Sequence, residues 1–507
     1  MSTLPITVDS RIRIPISLLS ASAIIALKAE FTHDNPDYAR EQNVAKARGW
    51  SRKVDATIET WTEEDDDLAL PRGRFARVRE LLSEHGYSFD ISDRRTEGDP
   101  KLRHEGRYKL ATHIVPAPFQ IEACSIAIEK QNCLFRSSTG SGKTCVAEMI
   151  ASSLGLPTVI LVQTGELFAQ WVRRLHTELG VPKYEIGEIK GQKHKIKPIT
   201  VASVQTFAKH IEQYKRTFGV VIFDEVQRAA ANTFYPAVDG LHAKYRIGIS
   251  ADERRKDKKD FLIYDLFGKV AMEVDRKRLI ADGFILDTEV RLVQTDFEAP
   301  WYTKLSSFQR QSEQVFNRLL KEMAANKKRN ELIVDLAAEQ MKTGHVSLVF
   351  SHRVEHCFDL RARIVERDTR VGIVVGEPKY KVESSDSLQQ IMTGKIVTAV
   401  GTVQSIGTGI DLPEADRGIA TTPMHSNRQQ AGQMRGRLCR VDRSPNARKT
   451  DSILYVLWDR KVHGLVPLRT WLRINDGNVT IYDPATGQTQ PGRAFLKRAE
   501  REETETI

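Results

Sequence analysis

The sequence predicts an α/β protein in which two successive parallel-sheet units follow a small α+β domain. The chain has 507 residues, more than one hydrophobic core supports, so we expect about three domains. Two series of short apolar runs alternate with helix-like stretches, and residues 1–110, which precede them, do not show this alternation. Such alternation is typical of parallel strands joined by crossover helices.

The small domain is predicted over residues 1–110. Its best-defined element is the segment RFARVRELLSEHG, which is predicted to form a helix that ends near Gly86. The helical period places four apolar side chains on one stripe, namely Phe75, Val78, Leu81 and Leu82.

Two α/β units are predicted over residues 111–280 and 281–460. The apolar runs of the first are NCLFRSS, TVILVQT, ITVASVQ, GVVIFDE and YRIGIS. Those of the second are HVSLVFS, VGIVVG, KIVTAVGT, RGIATTP and SILYVLW. Runs of this kind indicate strands that are buried on both faces. Residues 461–507 are expected to form an extension with a hairpin, and the charged end, 497–507, is expected to fray.

The charge distribution favours a polyanionic partner. The formal net charge is +10, and the segment 111–460 contains 51 Lys and Arg residues against 41 Asp and Glu residues. The excess therefore coincides with the two α/β units, which is expected of a nucleic-acid-binding protein. A generically basic protein is the alternative.

The remaining composition indicates a reduced, cytoplasmic protein. Five cysteines, Cys124, Cys133, Cys145, Cys357 and Cys439, show no CxxC spacing that would indicate zinc or a redox pair. No apolar run approaches the roughly 20 residues that a membrane span requires.

The segment SSTGSGKT, residues 137–144, predicts a phosphate-binding loop because it lies between a strand-like run and a helix-like stretch. Lys143 is expected to reach the β- and γ-phosphates, and the Thr144 hydroxyl to bind Mg²⁺. The residues expected to surround the phosphates through their backbone are Ser138, Thr139, Gly140, Ser141 and Gly142. Ser137 occupies the position where such loops usually have their first glycine.

The segment VIFDEVQ ends a buried run with two adjacent carboxylates. Asp224 is expected to hold the magnesium, and Glu225 to polarise the attacking water. Gln227 is a candidate sensor of the γ-phosphate. An isolated Asp-Glu pair also caps strands without any catalytic role, so the interpretation depends on the phosphate loop upstream.

The segment QMRGRLCR begins at Gln433, a candidate nucleotide contact. It spaces Arg437 and Arg440 three residues apart, on one face of a predicted helix. Two guanidinium groups directed at a triphosphate would stabilise the charge that develops on the γ-phosphoryl group. A solvent-facing arginine-rich helix is the alternative.

Taken in order, these segments resemble a superfamily 2 helicase or translocase, whose fold consists of two tandem RecA-like domains. In PAPFQIEA, the resemblance implies that Gln120 contacts the adenine. LVQTGELFAQW and VASVQTF resemble segments that touch the nucleic-acid backbone, and SAD at 250–252 replaces the coupling motif S/T-A-T. In GTVQSIGTGIDLPEAD, the resemblance places Gly409 and Asp411 near nucleotide and strand.

The chain is most similar to the XPB-like and phage UvsW-like branch of this superfamily. RIGISADERRKD resembles the XPB segment that continues into Arg-Glu-Asp, although Arg255-Lys256-Asp257 lacks the glutamate. LFGKV, LIADGFILD and the N-terminal segment with its LPRG turn are also similar to this branch. The resemblance implies that the first domain binds DNA.

Together, the motifs and the resemblance predict an ATP- and Mg²⁺-dependent DNA helicase or translocase with 3′–5′ polarity. Single-stranded, forked or branched DNA is the implied partner, along with replication or recombination proteins. Recombination with branch migration, replication-fork processing and repair are the implied processes. An RNA helicase, a duplex translocase and an ATP-switched nucleic-acid clamp are the alternatives.

Overall fold

The computed structural model of the protein describes residues 3–47, 54–138, 140–228, 231–251, 255, 257–409, 412–422, 428–442 and 449–505. The chain forms two compact units. Unit 1 comprises Met1–Ser138 and Gly142–Arg276, and unit 2 comprises Lys277–Ile507 with Thr139–Ser141. The predicted α/β class is confirmed, because the described residues of each unit contain a mostly parallel eight-stranded sheet. The domain boundaries at 110, 280 and 460 stay a prediction.

A small α+β domain begins unit 1, as predicted. Its strands are Thr3–Val8 (β1), Arg11–Pro15 (β2), Thr32–Asp34 (β3), Thr57–Glu59 (β4), Thr62–Glu64 (β5), Asp67–Pro71 (β6) and Ser88–Asp93 (β7), and its helices are Ala21–Glu30 (α1), Tyr38–Ala47 (α2) and Phe75–Glu84 (α3). Five strands form one sheet in the order β5-β6-β2-β1-β7. The predicted stripe of α3 is confirmed, since Val78, Leu81 and Leu82 are buried.

The small domain packs on the rest of unit 1 around the buried carboxylate of Asp265. His33 Nε2 and Thr60 Oγ1 lie 3.0 and 2.7 Å from Asp265 Oδ2, and Arg74 Nε lies 2.6 Å from Oδ1. Asp265 has no exposed surface. A buried carboxylate is tolerated only when cations and hydrogen-bond donors compensate for its lost hydration. These partners, all from the small domain, therefore join it to the rest of unit 1.

The sequence motifs of unit 1 follow strands of its large sheet. Its strands are Asn132–Ser137 (β8), Thr158–Val162 (β9), Ile186–Lys190 (β10), Lys193–Lys195 (β11), Ile199–Ser203 (β12), Val220–Asp224 (β13), Tyr245–Ser250 (β14) and Val270–Val274 (β15). The accompanying helices are Pro118–Lys130 (α4), Lys143–Leu154 (α5), Gly165–Thr177 (α6), Val204–Lys209 (α7), Ile211–Tyr214 (α8), Ala231–Asp239 (α9) and Phe261–Phe267 (α10).

The strand order in unit 1 is β11-β10-β12-β9-β13-β14-β8-β15. All neighbours pair in parallel except β10 and β11. The five apolar runs predicted to be strands of this unit are β8, β9, β12, β13 and β14, which confirms them.

Helix α5 buries the carboxyl group of Glu148, which has no exposed surface and no hydrogen-bond partner among the described residues. Burial, and to a lesser degree the charge of Glu178, raise the pKa of Glu148 to about 8. In the unfolded chain this group ionises near its ordinary value of 4.5. Between these values the folded protein keeps a proton that the unfolded protein loses, so stability falls as the pH rises through this window.

We therefore expect Glu148→Gln, which is neutral at every pH, to raise the apparent Tm at pH 8 by several degrees. Between the unfolded and the folded pKa of Glu148, each pH unit lowers the free energy of unfolding of the wild type by about 1.4 kcal/mol, and the glutamine variant avoids this loss. At pH 5 the gain should be small, because that pH lies only just above the value of 4.5 at which the unfolded group ionises. Differential scanning calorimetry at the two pH values checks this, with Glu212→Gln at an exposed position as the control. The same difference in Tm at both values would contradict it.

Unit 2 contains a second sheet of the same type. Its strands are Glu289–Gln294 (β16), Ser347–Ser351 (β17), Val371–Val374 (β18), Thr398–Thr402 (β19), Arg417–Ala420 (β20), Ile453–Trp458 (β21), Val479–Asp483 (β22) and Gln488–Pro491 (β23), in the order β18-β19-β17-β20-β21-β16-β22-β23. All pairs are parallel except β22 with β23. The predicted runs are β17 to β21, and the predicted C-terminal hairpin is β22 with β23.

The helices from residue 276 onward follow the same alternation with strands. They are Arg276–Ala281 (α11), Pro300–Thr303 (α12), Glu313–Ala325 (α13), Lys327–Lys342 (α14), Val354–Val365 (α15), Lys381–Met392 (α16), Val403–Gly409 (α17), Arg428–Leu438 (α18), Arg460–His463 (α19), Val466–Ile474 (α20) and Gly492–Glu505 (α21). The expected frayed end is wrong for residues 497–505, which belong to α21. Phe495 and Ala499 are buried on the core of unit 2, and this contact stabilises the helix.

Candidate active site

The sequence motifs of unit 1 meet at one edge of its large sheet. Ser137, Asp224 and Ser250 are the last residues of β8, β13 and β14. These strands are neighbours and run in parallel, so their carboxyl ends lie side by side. This edge is where open α/β sheets bind their ligands. The predicted phosphate loop and the paired carboxylates, far apart in the chain, therefore lie at the same edge of the sheet.

The loop from Ser138 to Gly142 joins β8 to α5. Gly140 and Gly142 have φ angles of +92° and +74°, in the left-handed region that residues with a Cβ rarely adopt. The Lys143 ammonium donates to the backbone oxygen of Ser137 at 3.0 Å and lies 4.0 Å from the Glu225 carboxylate. The loop thus holds a cation beside its own turn, as a phosphate site requires. Thr139 lies outside the described residues.

Asp224 is a buried carboxylate at the end of β13, 8% exposed. The Trp171 indole N–H donates to its Oδ2 at 3.0 Å. Burial raises the pKa of Asp224 and the charge of Glu225 raises it further, whereas the bond from Trp171 and the charge of Lys143 lower it. A cation bound at this carboxylate would therefore relieve an unfavourable burial.

Glu225 has a φ angle of +52°, which is rare for a residue with a side chain. The Gln227 amide donates to its Oε2 at 2.5 Å, and the Ser250 hydroxyl donates to Gln227 Oε1 at 2.6 Å. Gln227 is therefore held between the glutamate and the end of β14. Its role as a sensor of the γ-phosphate stays a prediction.

Gln120 and Thr144 border the same loop. The Gln120 amide donates to the Gly142 carbonyl at 3.3 Å, and its Oε1 accepts from the Ala117 N–H at 2.8 Å. Thr144 is half-buried in the first turn of α5. Contact of Gln120 with adenine stays a prediction, but its side chain is fixed against the phosphate loop.

The residues of this edge fit a magnesium–triphosphate complex. Hydroxyl and carboxylate oxygens, here from Thr144 and Asp224, are the donors that Mg²⁺ prefers, and Mg²⁺ usually takes only one or two protein ligands plus phosphate oxygens. The described residues contain no cluster of three or more His, Cys, Asp or Glu that could hold a metal by themselves. This donor set matches an ion that arrives with a nucleotide.

Unit 2 carries the remaining predicted residues. Gln433 is half-buried and Arg437 is buried on α18, and Gly409 ends α17. Asp411 lies outside the described residues, as does Asp252 of the SAD segment.

The prediction that Arg437 and Arg440 share a helix face is wrong. Helix α18 ends at Leu438, and Arg440 forms an antiparallel β-bridge with Ile285. The Leu286 N–H donates to the Cys439 carbonyl at 2.7 Å in the same place. Arg440 therefore lies outside the helix, because its backbone pairs with an extended segment.

The sequence did not single out two side chains of this site, Trp171 and Gln163. Both lie in LVQTGELFAQW, yet Trp171 contacts Asp224 at the end of β13 and Gln163 contacts Glu225, which follows that strand. The available signal was the chemistry of Trp171, because an indole N–H on the apolar face of a helix needs an acceptor when it is buried. The partners themselves depend on the strand order.

No helix in the described residues is both long and apolar enough to cross a membrane.

The family model of the type III restriction enzyme res subunit matches residues 113–254. The putative DNA 3′-5′ helicase Rad25 of Halobacterium salinarum is 29% identical over 415 residues, covering 81% of this chain and 64% of that protein. The DNA 3′-5′ helicase XPB of Mycobacterium tuberculosis is 24% identical over 396 residues, covering 74% and 66%. This chain thus spans less than two thirds of the length of either relative.

The structure of Saccharomyces cerevisiae Dbp5 bound to RNA and ADP BeF3 has the same fold. It matches with a TM-score of 0.52 and 11% identity, covering 77% of this chain and 93% of that one. This likeness agrees with two tandem RecA-like domains. It shows the fold alone, whereas the family model and the two sequence relatives make the chain similar to superfamily 2 helicases of the XPB-like kind.

Proposed function

We propose that this chain is an ATP-dependent DNA helicase or translocase that moves 3′–5′ and acts on forked or branched DNA. Recombination, replication-fork processing and repair are the processes in which we place it. One observation carries the proposal, namely the arrangement of Lys143, Asp224 and Glu225 around one sheet edge, with Lys143 and Glu225 4.0 Å apart. Such a set binds and hydrolyses a nucleoside triphosphate.

Each residue of the set has a distinct task in hydrolysis. The Lys143 ammonium would bind the β- and γ-phosphate oxygens of ATP in place of the Ser137 carbonyl that it now contacts. Thr144 and Asp224 would hold Mg²⁺, which supplies neutralisation of the phosphate charge when bound. The Glu225 carboxylate would accept a hydrogen bond from the attacking water and orient it, while Gln227 keeps that carboxylate in place.

Arg437 and Arg440 retain their predicted role, which is to stabilise negative charge on the γ-phosphoryl group in the transition state. Gln433, Gly409 and Asp411 likewise stay predicted nucleotide contacts. The sequence motif supports these roles.

DNA is the proposed nucleic-acid substrate because both relatives carry the words DNA 3′-5′ helicase in their names. The basic excess of residues 111–460 supports a polyanionic partner. Contacts to a phosphate backbone are largely independent of sequence, and they weaken steeply as salt is added.

The experiment is a panel of steady-state ATPase assays at one salt concentration, with single-stranded, duplex, forked and four-way DNA and with RNA. We expect forked or branched DNA to give the largest stimulation. Stronger stimulation by RNA would replace the proposal with an RNA helicase. Hydrolysis that is stimulated by duplex DNA but by no other nucleic acid of the panel would favour a duplex translocase. Nucleotide binding without turnover would favour a clamp.

A further inference from the structure

A row of hydrogen bonds crosses the carboxyl ends of three neighbouring strands of unit 1. The strands are β12, β9 and β13, which are adjacent in the sheet. The amide of Gln163, which follows β9, donates from Nε2 to the backbone oxygen of Glu225 at 2.9 Å. Glu225 follows β13 directly, so this bond links the end of one strand to the proposed catalytic residue on the next.

The row continues from Gln163 to the surface. The Gln205 amide donates to the Gln163 backbone oxygen at 3.1 Å, and the Ser203 hydroxyl donates to Gln205 Oε1 at 2.7 Å. Ser203 ends β12, and the Gln205 side chain is exposed. An exposed residue is therefore connected to the Glu225 backbone through one intermediate residue.

The bond from Gln163 acts on a strained peptide. Glu225 has a φ angle of +52°, and a residue with a Cβ in this region persists only when its surroundings hold it there. Two amides supply that support: Gln163 binds the Glu225 carbonyl, and Gln227 binds the Glu225 carboxylate. The first fixes the backbone and the second fixes the side chain.

The outer end of the row suits contact with a phosphate. A primary amide has two N–H donors, and among the described residues Gln205 uses one of them on Gln163. The other is available to an acceptor oxygen. Exposed Gln side chains commonly contact nucleic-acid phosphates. A phosphate that engages Gln205 would change the position of the same amide that holds Gln163.

We propose that Gln163 is a positioning residue, which sets the conformation of Glu225 and, through Gln205, makes that conformation respond to nucleic acid bound at the end of β12. This inference rests on the proposed function, because it assigns Glu225 to ATP hydrolysis. The expected consequence is that nucleic acid bound at the end of β12 changes, within unit 1, the position of the Glu225 carboxylate that is proposed to activate the water.

The test compares Gln163→Met, Gln205→Met and the double variant in the full chain. Methionine keeps the length and volume of the side chain but has no N–H to donate. Gln213→Met is the matched control, since Gln213 is exposed on α8 and takes no part in the row. The measurements are kcat and KM for ATP with saturating forked DNA, turnover without DNA, and the apparent Tm.

We expect Gln163→Met to lower kcat about five- to tenfold, the scale of one hydrogen bond, with KM for ATP and Tm nearly unchanged. Gln205→Met should lower the ratio of DNA-stimulated to unstimulated turnover by about threefold, a fraction of one hydrogen bond. Because the two residues act in series, the double variant should be no slower than Gln163→Met alone. The Gln213→Met control should match the wild type.

An unchanged kcat in Gln163→Met would overturn the proposal, as would a loss of kcat accompanied by a higher KM and a lower Tm, which indicates a merely structural role. Effects that multiply in the double variant, or an unchanged stimulation ratio in Gln205→Met, would also overturn it. A wild-type protein without any ATP hydrolysis would instead refute the proposed function itself, and this inference with it.

Discussion

Replacement of Glu225 by glutamine is expected to lower ATP turnover by at least about a hundredfold while ATP and DNA still bind. A positioned general base contributes about 10²- to 10⁴-fold, and glutamine cannot accept a proton from the attacking water. The amide keeps the size of the carboxyl group, and its oxygen can still accept the hydrogen bond that Gln227 donates to Glu225. Steady-state ATPase assays with forked DNA, and fluorescence anisotropy for DNA binding, measure the two quantities.

The control for this prediction is Glu212→Gln, which makes the same chemical change at a side chain that is 75% exposed and paired only with Lys215 at 2.5 Å among the described residues. Its turnover should equal that of the wild type. Turnover of Glu225→Gln near the wild-type value would show that another group activates the water, and the assignment of the site would then fail.

Replacement of Lys143 by alanine should abolish ATP hydrolysis through a different step. The ammonium at this position is the cation proposed to bind the β- and γ-phosphates, and it is already held at the loop by the Ser137 carbonyl. Its loss weakens binding of the triphosphate and removes charge stabilisation during transfer, so turnover should fall by about a thousandfold. We also expect DNA binding in the absence of nucleotide to persist.

Titration with a fluorescent ATP analogue separates this variant from Glu225→Gln, because only Lys143→Ala should bind the analogue weakly. Lys183→Ala is the matched control, since Lys183 is exposed near the amino end of β10, at the opposite edge of the sheet. Wild-type affinity and turnover in Lys143→Ala would contradict the proposed phosphate site.

Local patterns predicted much of the fold. The apolar runs became strands because both faces of each parallel sheet are covered, as in β13, whose residues are all buried. The loop after β8 and the carboxylates at the end of β13 were predicted from residue types at a characteristic spacing, and the structure places both at the carboxyl ends of strands in one sheet. Their roles stay predictions. The helix α3 was predictable from its period and from Gly86, which has a φ angle of +78°.

Features that depend on tertiary contacts were not predictable in this way. Arg440 leaves the helical pattern because its backbone pairs with Ile285, 155 residues earlier in the chain. The Gln163 bond to Glu225 requires β9 and β13 to be neighbours, and no local period specifies strand order. Helix α21 forms in a charged segment because Phe495 and Ala499 find a core to pack on.

Strand displacement from a forked DNA with a 3′ single-stranded tail measures directly whether ATP hydrolysis by this protein separates DNA strands. We expect the wild-type protein to displace the strand only with hydrolysable ATP. We also expect slower displacement from a fork with a 5′ tail, and none in the Glu225→Gln variant. ATP hydrolysis stimulated by the fork without displacement from either substrate, or displacement that proceeds equally without ATP, would contradict this expectation.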